Sequence, residues 1–212
     1  MPRKQEHSEG PGAGGFNAPP KNWPASVKFL AKNHWADSIP RNLLSFYVPQ
    51  QWPLPSPVST VTPPPTHTPF PIKEATKERR VSIKKITVPS HPAFGQCGLF
   101  ASTCLPARSH VLDYVGQVRL AADASETSDY ILSFDRVTAL SLDAEFAGGE
   151  GRFCNDYRGV CDKANVEFDP YRDSKTGQVK MGIWVLAKDI KKGDELCVSY
   201  GKGWWRERGL IP

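Results

Sequence analysis

Apolar residues recur along this chain in short bursts rather than in long helical stripes. After Lys73 each burst is of strand length, rich in β-branched and aromatic side chains, and bounded by Gly, Pro, Asp or Ser clusters. The pattern predicts strands over Val81–Val88, Gly98–Ala101, Val111–Val118, Tyr130–Phe134, Val137–Leu142, Val166–Phe168, Met181–Ala187 and Glu195–Tyr200. Lys175-Thr176-Gly177 reads as a hairpin tip, and Trp204–Arg208 as one helical turn closed by Gly209. Many short strands with little helix predict a mainly β fold of several small sheets folded around one another. No internal repeat is evident.

The first third of the chain reads differently. Val27, Leu30 and Ala31 have helical spacing between Pro24 and Pro40, which predicts a short helix over 25–36. Leu43–Val48 is a second apolar run, of strand length. These two pieces carry Trp23, Phe29, Trp35, Phe46, Tyr47 and Trp52, more aromatic content than a linker needs. They can pack on the rest of the chain as a cover or serve as a partner-binding segment; packing is favoured because buried aromatics are the commoner use. Residues 1–20 are poor in apolar content and read as disordered. Residues 53–71 are rich in Pro, Thr and Ser, which suits a semi-rigid spacer of polyproline II type or an SH3 or WW ligand.

Composition sharpens this division. Of the 20 prolines, 17 lie in residues 1–92, whereas 13 of the 17 glycines follow residue 92, as a loop-rich folded domain requires. Charge divides at the same place: residues 1–92 hold 12 Lys/Arg against 5 Asp/Glu, and residues 93–212 hold 15 against 17. The overall +5 therefore belongs to a basic arm (1–79), attached to a mildly acidic domain (80–205) with a short tail (206–212). Such an arm can hold a polyanion weakly by counterion release, or simply be solvated by its charge. An acidic domain face suits a basic peptide. Cys97, Cys104, Cys154, Cys161 and Cys197 form no C-x-x-C pair, and their odd number favours free thiols in a reducing compartment. No apolar run approaches membrane-spanning length and no signal-peptide core is present, so a soluble intracellular protein without membrane contact is expected.

Seven short clusters then appear in a fixed order: Gly95-Gln96-Cys97-Gly98-Leu99-Phe100-Ala101, Tyr114-Val115-Gly116, Asp129–Asp135, Leu142-Asp143-Ala144, Gly151–Asp156, Asn165 and Asp194–Gly201. Together they resemble the SET-domain family of protein-lysine methyltransferases over about residues 80–205. Any one cluster is weak, but the ordered set is specific. The resemblance implies a SET fold with a knot-like crossing of the Asn155 and Tyr200 segments, an arrangement rare among folds. It also implies S-adenosylmethionine as cofactor and transfer of its methyl group to a lysine of a basic protein or peptide, with a histone tail as the expected kind. A nuclear location follows from that substrate, with the cytoplasm as the alternative.

Residue by residue, the resemblance makes Tyr200 catalytic. Gln96, Cys97, Gly98, Leu99, Tyr114, Arg152, Phe153, Asn155 and Asp156, together with Tyr200, would bind cofactor. Tyr130, Val198, Trp204 and Trp205 would line the lysine channel. The chemistry is consistent with these residue types. A lysine amine with a reference pKa of about 10.4 is mostly protonated and cannot attack the sulfonium methyl, whereas a channel walled by tyrosines disfavours the charged form and aligns the nucleophile. A glycine at 98 lets backbone approach the cofactor closely. No cysteine follows Cys197, so the family's zinc-binding C-terminal segment is lacking, and Trp204 or Trp205 is expected to close the site with no metal involved.

The chain also departs from the family pattern. Asp156 stands where the family has His, Gln96 at the first Gly of the cofactor loop, and Ser199 before the catalytic Tyr in place of Asp. Val198 occupies the position that sets methylation degree in some members, so that degree is not legible here. Asp156 and Gln96 motivate a second reading, a SET fold that binds peptides without catalysis. A third, a nucleic-acid binder acting through the arm, lacks a patterned recognition helix.

Overall fold

The structure is a computed structural model that describes residues 18–50 and 79–209. The Pro-rich stretch 53–71, most of residues 1–20, and residues 210–212 lie outside the described residues. Thirteen short strands and two short helices are present among those described: β1 (Lys28–Phe29), β2 (His34–Trp35), α1 (Arg41–Tyr47), β3 (Val81–Lys85), β4 (Cys97–Ala101), β5 (His110–Asp113), β6 (Gln117–Leu120), β7 (Ile131–Asp135), β8 (Leu140–Asp143), β9 (Ala147–Gly148), β10 (Asn155–Asp156), β11 (Val166–Arg172), β12 (Val179–Val185), β13 (Cys197–Val198) and α2 (Gly201–Glu207). Two 3-10 turns, Ala121–Asp123 and Glu150–Phe153, join them.

The strands form five small sheets, in agreement with the mainly β reading. They are β3-β4, β2-β6-β8-β7, β11-β12-β5, β1-β9 and β10-β13. One apolar core is shared among them, with Leu99, Val118, Leu142, Ile183 and Leu196 among its fully buried members. The hairpin predicted at Lys175-Thr176-Gly177 joins β11 to β12, and Gly177 has a positive φ. Pro170 is accommodated inside β11 because that strand is the edge of its sheet, where a missing N–H costs no ladder bond.

Three expected strands change shape. Val111–Val118 divides into β5 and β6, which belong to different sheets. The break includes Gly116, where a Cβ would lie 2.4 Å from the Asp143 carbonyl oxygen, so only glycine lets the chain pass β8 at that distance. The Val137–Leu142 strand begins only at Leu140, because Asp135 Oδ1 accepts the Val137 N–H at 2.8 Å and turns the chain there. Glu195–Tyr200 shortens to β13, and the turn expected at Trp204–Arg208 becomes the longer α2.

The N-terminal third departs furthest from expectation. The short helix predicted over 25–36 does not form. Instead Lys28–Phe29 pairs in parallel with β9, and His34–Trp35 pairs in parallel with β6. Helical spacing of Val27, Leu30 and Ala31 is outweighed by two unsatisfied strand edges that accept this segment, with Lys28 N–H donating to the Phe146 carbonyl at 2.9 Å and Ala36 N–H to Val118 at 2.9 Å. Leu43–Val48, read as a strand, lies mostly within α1. Leu43, Leu44, Phe46 and Tyr47 cluster at helical spacing, and Pro40 supplies the first helical acceptor to Leu44 N–H. Tyr47 is fully buried, and its phenol bonds to Asp135 and Thr138 at the β7–β8 turn. Trp23 packs edge-on to Phe153, and Trp35 on Tyr47 and Phe134. Residues 18–50, grouped with the arm by composition, are thus built into the fold, as the packing alternative required.

Candidate functional site

The site forms where β10 and β13 run side by side in parallel, with Asn155 opposite Cys197 and Asp156 opposite Val198. Two segments distant in sequence are joined by two rungs, too few to hold on their own. Side chains complete the joint. Asn165 acts as a backbone surrogate, donating from Nδ2 to the Glu195 carbonyl at 2.8 Å and accepting the Cys197 N–H on Oδ1 at 2.8 Å. Asp156 does more. Its carboxylate accepts the Tyr200 N–H at 2.8 Å, the Trp205 indole N–H at 3.2 Å and the Arg158 guanidinium at 2.8 Å, while the Arg158 backbone N–H reaches its other oxygen at 2.9 Å. That carboxylate is 6 % exposed, so each bond is made away from bulk water. The residue that departs from the family's His is therefore the fastener that holds the Tyr200 segment and α2 to β10.

One side of the crossing is polar. β4 carries Gly98 beside β10, and the Asn155 amide donates to Glu195 Oε1 at 2.8 Å. A Cβ on Gly98 would lie 2.5 Å from that same oxygen and 3.1 Å from Asn155 Nδ2. Glycine is needed at 98 for Glu195 to reach Asn155 at all. Glu195 Oε2 in turn meets His91 Nε2 at 3.0 Å.

The opposite side is aromatic. Tyr200 begins α2, and its ring lies 4.9 Å from Trp204, which lies 5.1 Å from Trp205. The Tyr200 hydroxyl donates to the Cys154 carbonyl at 2.9 Å. Burial, with the neighbouring Cys154, Asp156 and Tyr130 adding to it, pushes that phenol well above the ordinary tyrosine range. It is a neutral hydrogen-bonding group at any physiological pH and not a base. Tyr114, fully enclosed, is raised in the same way by burial and then by Tyr200, and donates to the Tyr130 carbonyl at 2.8 Å. The Arg152 guanidinium stacks 4.1 Å from the Tyr130 ring and is held there by the carbonyls of Ala144 and Glu145. Arg208 stacks on Trp204 at 4.1 Å and pairs with Asp129, next to Tyr130, so α2 is tied to the turn that precedes β7. Cys154 and Cys197 lie beneath the crossing; burial, and then Glu195, raises both thiols above their usual range, so neither is a ready nucleophile.

Among the residues singled out from sequence, the fold gathers Gly98, Asn155, Asp156, Tyr200, Trp204 and Trp205 around the crossing, with Tyr114, Tyr130 and Arg152 adjoining. Leu99, Phe153 and Val198 turn their side chains into the core, so only their backbones are available to a ligand. Gln96 is exposed and its carbonyl accepts the Ile86 N–H, while Cys97 is half-buried. Sequence reasoning missed His91, Arg158 and the Asp129–Arg208 pair, and it read Glu195 only as a flank of Tyr200. Among the described residues no group of three or more His, Cys, Asp or Glu is gathered to hold a metal ion. Nor is any helix there long and apolar enough to cross a membrane.

The sequence model of the SET domain matches residues 96–201, half of the chain, and the chain belongs to the SET-domain family. Among solved structures it is similar to Chaetomium thermophilum Polycomb Repressive Complex 2 bound to GSK126, at 19% identity over 62% of this chain and 17% of that one, with a TM-score of 0.47. It is also similar to KRYPTONITE in complex with mCHG DNA and SAH (23% identity, 59% of this chain, 24% of that one, TM-score 0.43). A third is the same Polycomb complex in an autoinhibited conformation bound to S-adenosylmethionine (19%, 62%, 16%, 0.47). The chain spans less than a quarter of the length of each of these proteins. No curated protein matches it in sequence.

The family's cofactor is S-adenosylmethionine, and the residues present fit such a group. The Trp204 indole N–H is buried beside Tyr200 with no hydrogen-bond partner. Both Asn155 bonds are donated by Nδ2, leaving its carbonyl oxygen outside that network. A spare donor and a spare acceptor beside aromatic faces suit a polar, cationic ligand.

Proposed function

We propose that this chain is an active protein-lysine methyltransferase that acts on a lysine in an extended basic peptide. The observation that carries the reading is the Tyr200 phenol, half-buried, neutral and fixed to the Cys154 carbonyl within an aromatic wall that adjoins Asn155 across the crossing. S-adenosylmethionine, when bound, supplies an electrophilic methyl group on a sulfonium centre. Asn155, the backbone around Gly98, and the Trp204 and Trp205 faces would hold it. The incoming amine must be neutral to attack. No side chain in the aromatic wall is a base, so the wall favours the neutral amine by desolvating it, and the proton leaves to solvent as the lysine enters. Tyr200 and Tyr130 then direct the nitrogen lone pair along the line of attack. Bound S-adenosylmethionine would give up its methyl carbon to that nitrogen with loss of the carbon–sulfur bond, and the part played by this chain's own residues is to hold the two in line.

The mildly acidic balance of residues 93–212 supports a basic peptide as substrate, and a histone tail is the first to try. Methylation of that substrate would place the protein in the nucleus. The integration of Asp156 with Tyr200 and Trp205 argues against a decayed site, because a carboxylate that fastens the catalytic segment is a replacement and not a loss. The test is methyl transfer from labelled S-adenosylmethionine to a panel of histones and peptides. Tyr200→Phe should lower it about a hundredfold, the cost of a misaligned nucleophile, with the fold intact. Equal transfer by the two proteins would end the role given to the hydroxyl. No transfer and no cofactor binding by the unaltered protein would leave a peptide-binding module.

A further inference from the structure

His91 lies outside every family cluster, in a loop between β3 and β4, yet its side chain reaches the floor of the site and is only 10 % exposed. Its ring is fixed at both ends. The Ala93 N–H donates to Nδ1 at 3.0 Å, so the ring proton sits on Nε2, which donates to Glu195 Oε2 at 3.0 Å. The other Glu195 oxygen accepts from Asn155 Nδ2 at 2.8 Å, and the same Nδ2 is 3.4 Å from the Cys97 carbonyl. The Glu195 side chain is itself 9 % exposed, and its backbone is pinned by Asn165. A carboxylate so placed has two acceptor oxygens and two fixed donors, and rotation of either donor would leave a buried charge under-bonded.

The consequence falls on Asn155. An asparagine amide can present either its NH2 or its oxygen in a given direction at similar cost, unless its partners decide. Here the acceptors on Glu195 and Cys97 take the NH2 and turn the oxygen away from them. We infer that His91 and Glu195 form a clamp that sets the Asn155 amide with its oxygen toward the cofactor, so that both are positioning residues for binding of a cationic amino-acid moiety. This rests on the cofactor reading above. It also gives Gly98 a second reason to lack a Cβ, since any side chain there would displace the clamping carboxylate.

The test is calorimetric binding of S-adenosylmethionine to the full chain and its variants. His91→Ala should weaken binding about tenfold, the order of one charge-assisted hydrogen bond. His91→Gln, whose amide can donate to the same oxygen, should restore most of the affinity. In the cofactor-free protein the Asn155 side-chain amide resonances should shift in His91→Ala and return in His91→Gln. Affinity within twofold of the unaltered protein in His91→Ala, or equal weakening by both substitutions, would overturn the clamp while leaving the cofactor reading intact. Failure of the unaltered protein to bind would overturn that reading, and the clamp with it.

Discussion

The two sides of the β10–β13 crossing are held by different physics. On the Gly98 side, Glu195, His91, Asn155 and Asn165 lock together through buried hydrogen bonds, one of them formed by a residue 104 positions away in sequence. On the Tyr200 side, α2 leans on ring contacts and on the Arg208–Asp129 pair, in which Asp129 is 59 % exposed. Buried polar bonds are costly to leave unmade, whereas an exposed ion pair contributes little and is screened by salt. The first side is therefore the rigid template and the second the adjustable wall. The activity proposed above would need both, a seat that does not move and a wall that can admit a long side chain. Asp156 links the second side to β10, since it bonds backbone on the Tyr200 segment and the Trp205 indole on α2 from its place in that strand.

That contrast can be broken most severely at Asp156. Asp156→Ala should cost about 3 kcal/mol or more, because it strands the Arg158 cation and leaves two buried N–H donors unpaired. A fall in Tm with early loss of tryptophan fluorescence from α2 would show it; an unchanged Tm would mean that the wall stands without its fastener. Next comes Tyr47, which ties the N-terminal third to the β7–β8 turn. Tyr47→Phe should lose about 1–2 kcal/mol, since Asp135 and Thr138 keep their place and lose their donor. Denaturant midpoints would measure this, and no change would mean that residues 18–50 only rest against the domain.

Arg208→Ala sharpens the comparison from the weak side. It should change stability by less than about 1 kcal/mol, and the effect should shrink in high salt, while proteolysis within α2 accelerates. An effect as large as that of Asp156→Ala would show that the wall is not adjustable. The smallest effect is expected far from both sides, at the β11–β12 tip. Burial opposes ionisation of Asp173, but the Lys180 ammonium and the Thr176 and Lys175 amides outweigh it and hold the carboxyl at about 2, below the usual 3.8. A group depressed in this way stabilises the hairpin above about pH 4, and that contribution fades as pH falls through 2. The Lys175 and Thr176 amide resonances, followed by NMR over that range, should titrate together, without loss of the fold around the crossing. Titration centred at the usual value would show that the tip is not paired in solution.

Legibility from sequence followed the range of the forces involved. Strand positions after residue 80 were readable because turn residues punctuate them, and a turn is decided locally. The candidate site was legible where its residues sit in ordered clusters: Gly98, Asn155, Tyr200, Trp204 and Trp205 lie together around the crossing. Three members of the same clusters face the core instead: Leu99 and Val198 because alternation along a two- or five-residue strand shifts with a single residue of register, and Phe153 because it closes a 3-10 turn whose side-chain directions follow no such alternation. His91 carried no signal at all, and neither did the pairing of Asp129 with Arg208, since a hydrogen-bond partner far along the chain leaves no mark on local pattern or spacing.

By itself, the sequence determined the fold class and the ordered motifs that define the family, because each depends on local turn chemistry and on residue types at short spacing. Only the tertiary structure decided the rest. It made strands of residues 28–29 and 34–35, whose helical spacing was overruled by open sheet edges, and it made a helix of Arg41–Tyr47. It also decided the meaning of Asp156. In the sequence that residue is a departure from a pattern; in the fold it faces a backbone N–H, an indole and a guanidinium at once, and a carboxylate meets all three where an imidazole would lack the acceptors.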